Sequence, residues 1–158
     1  MAVSATTRRI RPGEIDGEHY HFLTPSQFEE RVREGDFLEH VAYAGNRYGT
    51  LRSEIVRILA AERSPVVEIE LAGARAVRQM TPDAVSIFIA PPSRQELSAR
   101  LERRATDTEG EIAERLRTSD IELAARHEFD HVVVNEVVEL AVEDLARILA
   151  AAIGPADA

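Results

Sequence analysis

The sequence contains no cysteine, which excludes a disulfide framework and any thiolate metal site. Lysine is missing as well: all 19 basic residues are arginine. Codon usage that replaces lysine by arginine is the simplest cause, but any chemistry that needs a lysine ammonium is excluded. No run of about 18 apolar residues occurs, so nothing reads as a membrane span. Residues 1–8 carry no apolar stretch behind a charged start, and the N-terminus does not read as a signal peptide. The formal charge of −9 argues against nucleic acid as a bulk electrostatic partner. A cytoplasmic location is the expectation, and nothing in the sequence sets an oligomeric state.

What is present fits a globular chain. At 158 residues, 44% hydrophobic and 30% charged, it is the size of one domain and long enough to build a core. Short β-branched runs alternate with amphipathic stretches, which predicts an α/β domain with a largely parallel sheet. The spacing predicts strands over 66–71, 84–89 and 132–134, the last two apolar enough to be buried on both faces. Thr24-Pro25-Ser26-Gln27 has the form of a capping box opening a helix that places Phe28 and Val32 on one face and stops near Gly35. Further helical stripes run through Leu51, Ile55, Ile58 and Leu59; through Leu97 and Leu101; through Ile112, Leu116 and Leu123; and through Leu145, Ile148, Leu149 and Ala152. Residues 37–50 interrupt the alternation and read as a hairpin turning at Gly45-Asn46.

Chemistry concentrates in Thr6-Thr7-Arg8-Arg9-Ile10-Arg11-Pro12-Gly13-Glu14, where arginines cluster beside hydroxyls in an otherwise acidic chain. A guanidinium fork suits bidentate contact with phosphate or carboxylate oxygens; a solvated basic turn is the plainer reading of the same residues. A second arginine group, Arg100, Arg103, Arg104 and Arg115, either meets an anionic ligand or pairs with Glu96, Glu102, Glu111 and Glu114 on exposed helix faces. The five histidines show no metal-ligand spacing, and no metal site is expected.

Several segments, collinear over roughly residues 2–152, resemble the guanylate kinase family. They are Val3-Ser4-Ala5-Thr6-Thr7-Arg8 with Arg11-Pro12-Gly13-Glu14, Gly17-Glu18-His19-Tyr20-His21-Phe22, Gly35-Asp36-Phe37-Leu38-Glu39, Gly45-Asn46-Arg47-Tyr48-Gly49-Thr50, Pro82-Asp83-Ala84-Val85-Ser86-Ile87-Phe88-Ile89 with Pro91-Pro92-Ser93, and Asp130-His131-Val132-Val133-Val134-Asn135. The resemblance implies a P-loop NTPase-like nucleoside monophosphate kinase core. It implies one domain over 1–158: a mainly β GMP-binding subdomain over about 3–50, core over 51–93 and 120–152, and a helical lid over 94–119. The implied activity is transfer of phosphate from ATP to GMP, giving ADP and GDP, with Mg2+ as the accompanying ion.

Carried over by position, the resemblance gives Arg8, Arg11, Tyr20 and Tyr48 to the GMP phosphate. Glu39 is given to guanine N1–H and the 2-amino group, with Ser4 and Thr50 completing the base site. Glu70 stands where the family usually has aspartate and is given to the same GMP site. Arg104 and Arg115 are given to the transferring phosphates, with Arg8 counted beside them as catalytic, and Asn135 to the ATP side.

Departures from the family pattern lie mostly on the ATP side. No G-x-x-x-x-G-K-[ST] loop occurs within the 158 residues, and with no lysine none can be placed elsewhere in them. Glu68-Ile69-Glu70-Leu71-Ala72-Gly73 stands for Glu-Ile-Asp-x-Gln-Gly, Arg103-Arg104-Ala105-Thr106 for Gly-Arg-Gly-Thr, and Asn135-Glu136-Val137 for Asn-Asp-Asp. These residues are therefore expected to bind GMP and to be impaired or inactive in phosphate transfer. A chain read from an internal start, a GMP-binding protein without catalysis, and a protein-interaction module of guanylate kinase-like fold all remain open on the sequence.

Overall fold

The computed structural model describes residues 1–43, 45–103 and 109–154. Contacts divide the chain into two compact units, Met1–Ala84 and Val85–Ala158.

In the first unit, β1 (Ser4–Thr6), β2 (His21–Phe22), β3 (Phe37–Tyr43) and β4 (Asn46–Leu51) form one sheet in the order β2-β1-β4-β3. β1 runs parallel to β2 and antiparallel to β4. The connection from β1 to β2, residues 7–20, thus begins and ends at neighbouring strands and carries the arginine cluster. The expected hairpin is present, with Tyr43 opposite Asn46 and a register irregularity between Phe37 and Glu39.

Helix α1 (Pro25–Glu34) starts at the capping box read from the sequence: Gln27 N–H donates to the Thr24 hydroxyl, and Thr24 N–H donates to the Gln27 side-chain oxygen. Its apolar face lays Phe28, fully buried, against Phe37 with ring centroids 4.4 Å apart. Ala5 and Leu51 complete this core, with Leu23 and Val32 packed around it. Burial of such side chains contributes about 1.5–3 kcal/mol each, and here it fixes the sheet against α1.

Helices α2 (Arg52–Leu59) and α3 (Leu71–Met80) follow. The strand expected over 66–71 does not form: residues 63–70 are irregular and Leu71 already belongs to α3. Val66 accepts one backbone bond from Ala2 N–H at 2.9 Å. A β-branched run becomes a strand only through a ladder, and that bond alone is not one.

In the second unit, β5 (Ile87–Ala90) and β6 (His131–Val134) pair in parallel, with α4 (Arg94–Arg103), α5 (Glu109–Ala124), a 3-10 turn (Ala125–Glu128) and α6 (Val138–Ile153) around them. Asp130 locks the start of the pair by accepting from both the N–H and the hydroxyl of Ser86. Burial on both faces is not observed. Val133 is 2% exposed, whereas Val132 is 44% and Val134 49% exposed. The described residues supply only two strands to this sheet and α6 against β6, so one face keeps its contact with water. Along α6 the expected stripe holds for Leu145, Ile148 and Leu149, which are half-buried, while Ala152 is exposed. Among the described residues no helix is long and apolar enough to cross a membrane.

Candidate functional site

Strand register builds the site in the first unit. Ser4 lies opposite Thr50, and Thr50 lies opposite Glu39, so these three form a row across β1, β4 and β3. Residues paired across antiparallel strands point to the same face. Thr6 and Tyr48, two pairs further along and so on the same side, carry that face toward the arginine loop.

Glu39 is the pivot of the row. It is 5% exposed, and its Oε1 accepts from the Thr50 N–H at 2.9 Å and the Thr50 hydroxyl at 2.8 Å. Burial raises its pKa above the ordinary carboxylate value; the two Thr50 bonds oppose the rise, and the negative charge of Glu70 adds to it. Glu70 itself occupies the N-cap position of α3 without a side-chain capping bond.

At the other end stands Arg8. Its backbone N–H donates to the buried Thr6 hydroxyl at 3.1 Å, which ties the loop to the end of β1. The guanidinium is held end-on by Glu14: Nη1 donates to Oε2 at 3.0 Å and Nη2 to Oε1 at 2.7 Å, while Nη1 also donates to the Arg9 carbonyl. Glu14 can reach back because the chain reverses at Pro12-Gly13, where Gly13 has φ +86°, a conformation glycine adopts without strain. The Arg8 hydrogen bond and then the Arg11 N–H pull Glu14 down to a pKa of about 2, and the same pairing raises that of Arg8. The Arg8 guanidinium lies 5.3 Å from the Tyr20 ring centre, and the Tyr20 and Tyr48 rings stand edge to face at 6.3 Å. Burial, then Tyr48, raises the Tyr20 pKa, keeping that phenol neutral and able to donate. Arg11 is exposed on the same loop.

Hence Ser4, Arg8, Tyr20, Glu39, Tyr48, Thr50 and Glu70 gather in the first unit: a buried acceptor at one end, a fixed cation with two phenols at the other. Such a surface can take a planar ring bearing adjacent N–H donors together with a dianion. A cavity of about 310 Å3 lined by Asp16, His21, Arg31, Ser53 and Glu54 shares none of these residues.

The second unit holds the remaining candidates. Arg115 is half-buried in α5, and the Asn135 side-chain oxygen is buried with no hydrogen-bond partner among the described residues. Arg104 lies outside the described residues. Arg100 and Arg103 both pair with Glu96 at 2.9 Å, the surface pairing that helix spacing allows. Among the described residues no group of three or more histidine, cysteine or acidic side chains is placed to hold a metal ion.

A sequence profile described as guanylate kinase matches residues 1–152. This chain belongs to the guanylate kinase family. It is 47% identical over 149 residues to the guanylate kinase of Prochlorococcus marinus, covering 94% of this chain and 79% of that protein. It is 49% identical over 148 residues to that of Rubrobacter xylanophilus, covering 94% and 78%. The crystal structure of the guanylate kinase from Anaplasma phagocytophilum superposes with a TM-score of 0.79 at 33% identity, covering 95% of this chain and 73% of that one. The mixed α/β guanylate kinase fold expected from the motifs is therefore the fold of this chain.

Three residues of this guanylate kinase-family chain were not assigned a role on sequence. Glu14 holds Arg8; its position within Arg-x-x-Arg-Pro-Gly-Glu was the available signal. Gly73 packs against the Glu39 carboxylate, a proximity with no sequence signature. Glu54, on α2, is buried and accepts from Val3 N–H and from Arg57, although a glutamate in a helical pattern reads as solvated.

Proposed function

We propose that these residues bind GMP in the first unit and serve the transfer of phosphate to it, with Glu39 reading the base and Arg8, Arg11, Tyr20 and Tyr48 holding the phosphate. The observation that carries this is the row Ser4–Thr50–Glu39, which ends in a buried, desolvated carboxylate. Guanine offers two adjacent N–H donors to such an acceptor and adenine does not, and an unmatched buried acceptor costs about 1–3 kcal/mol or more. The organisation suggested by the motifs follows: residues 3–50 for GMP, 51–93 and 120–152 as core, and 94–119 with Arg104 and Arg115 as the lid. Retention of the GMP-site residues disfavours a pure protein-interaction role.

For ATP and Mg2+ as the second substrate the donor set does not fit. The 158 residues hold neither lysine nor a glycine-rich phosphate loop, and Arg115 and Asn135 alone do not fix a triphosphate. We therefore assign GMP binding to this chain by itself, and slow transfer.

Calorimetry with GMP and AMP tests the base site. GMP is expected to bind at least tenfold more tightly, as about 1.4 kcal/mol or more of discrimination requires, and Glu39→Gln is expected to remove the preference. Equal affinities for the two nucleotides in the unaltered chain overturn the reading.

A further inference from the structure

We propose that Gly73 is a positioning residue for base recognition, because the space left by its missing side chain is where the Glu39 carboxylate lies. The proposal rests on the reading of Glu39 as the guanine acceptor, and the experiment below separates the two.

Gly73 is buried in the first turn of α3. A Cβ built on its backbone falls 2.6 Å from Glu39 Oε2 and 3.2 Å from Glu39 Cδ, with Ile69 Cβ at 3.3 Å. The first distance is far inside van der Waals contact. Gly73 is not among the residues of positive φ, so its backbone conformation is open to any amino acid. Helix propensity favours alanine over glycine there. Neither backbone nor helix asks for glycine at 73; the carboxylate does.

The colliding atom is the far end of a side chain, so the fold can yield by moving it. Glu39 is not free to yield without consequence. Its Oε1 is fixed by both Thr50 donors, and its backbone belongs to the β3–β4 ladder. Displacing Oε2 by the few tenths of an ångström or more that a methyl demands rotates the carboxylate out of the plane that meets two parallel N–H donors. Stability and recognition are thereby uncoupled at this position: a methyl group suits the helix and spoils the acceptor.

The test is Gly73→Ala in the full chain, read by thermal unfolding and by calorimetry with GMP and AMP, beside Glu39→Ala and the double variant. The expected results are an unfolding midpoint equal to or above that of the parent and GMP binding weakened by about tenfold or more, the scale of one charge-assisted hydrogen bond. AMP binding is expected to be unchanged, so that the GMP preference narrows. In the Glu39→Ala background the same substitution is expected to be silent, as coupling through one contact requires. Unchanged GMP affinity in Gly73→Ala overturns the proposal. So does a loss that persists in the Glu39→Ala background, or a lowered midpoint, since either places the strain in the fold instead of the carboxylate. If Glu39→Ala itself leaves the GMP preference intact, the base-site reading fails, and that result is independent of how Gly73→Ala behaves.

Discussion

Arg8 has five N–H donors, and the structure accounts for three of them: two on Nη1, to Arg9 and Glu14, and one on Nη2, to Glu14. What remains is the Nε–H and the second Nη2 hydrogen, which point the same way and form a fork. Glu14 therefore orients the guanidinium by its end and leaves its side for a phosphate, a preorganised arrangement that costs little ordering on binding. Arg8→Ala is expected to weaken GMP by about 1.5–3 kcal/mol, the range for charged hydrogen bonds, while guanosine binds as before. Titration of the variant with both ligands checks it; equal weakening of both would make Arg8 a support of the loop. The residues proposed for this site were named on sequence through the family resemblance, since phosphate and guanine each demand particular chemistry. Glu14 and Gly73 were not, since one acts only through Arg8 and the other by being small.

At the scale of elements, Glu54 joins α2 to the start of β1. Its carboxylate accepts from Val3 N–H at 2.9 Å and from two Arg57 nitrogens at 3.1 and 2.7 Å, and His21 Nε2 lies 3.5 Å away. Arg57 foremost, with the Val3 N–H assisting against burial, lowers its pKa from 4.5 to about 2. A carboxylate with a lower pKa folded than unfolded stabilises the native state above the unfolded value, and the contribution is lost as the pH falls through the folded one. The contribution of Glu54 is thus complete above pH 4.5 and disappears between there and about pH 2. Glu54→Ala is expected to destabilise by about 2–3 kcal/mol near neutral pH, leaving the Val3 N–H without its acceptor. Urea unfolding at pH 7 and in the acid range checks it: the gap between variant and parent should narrow on acidification, and a constant gap would remove the carboxylate charge as the cause.

Elements whose signals are local were legible: the Thr24 capping box, the 37–50 hairpin and, apart from exposed Ala152, the stripe of α6. The run Val66–Leu71 was not, because strand composition without a neighbouring ladder leaves an irregular segment. Helix α3 escaped notice because Gly73 near its start and the absence of a side-chain cap weaken the usual markers.

For the whole molecule, the balance of the site is uneven. Most of the residues proposed for GMP gather in the first unit, with Thr50 bonded to Glu39, whereas those proposed for the ATP side are few and Arg104 lies outside the described residues. Positioning of a phosphoryl donor can be worth about 7–11 kcal/mol, and the arginines proposed for the lid would only stabilise charge. The 158 residues are expected to show little GMP-dependent ATP turnover even with millimolar Mg2+. Adding the strand, phosphate loop and first helix of a close relative should raise turnover by several orders of magnitude. A coupled assay on both proteins decides it: fast turnover in the shorter one contradicts the proposal, and an inactive longer one leaves GMP binding as the function.

The β5–β6 pair has a consequence for the sample itself. Both strands are edges of a two-stranded sheet among the described residues, and Val132 and Val134 are exposed on it. A strand edge with no partner strand among the described residues is a template for pairing with another extended chain. Loss of protein from a concentrated solution is then expected to depend on concentration, and dilution is expected to slow it.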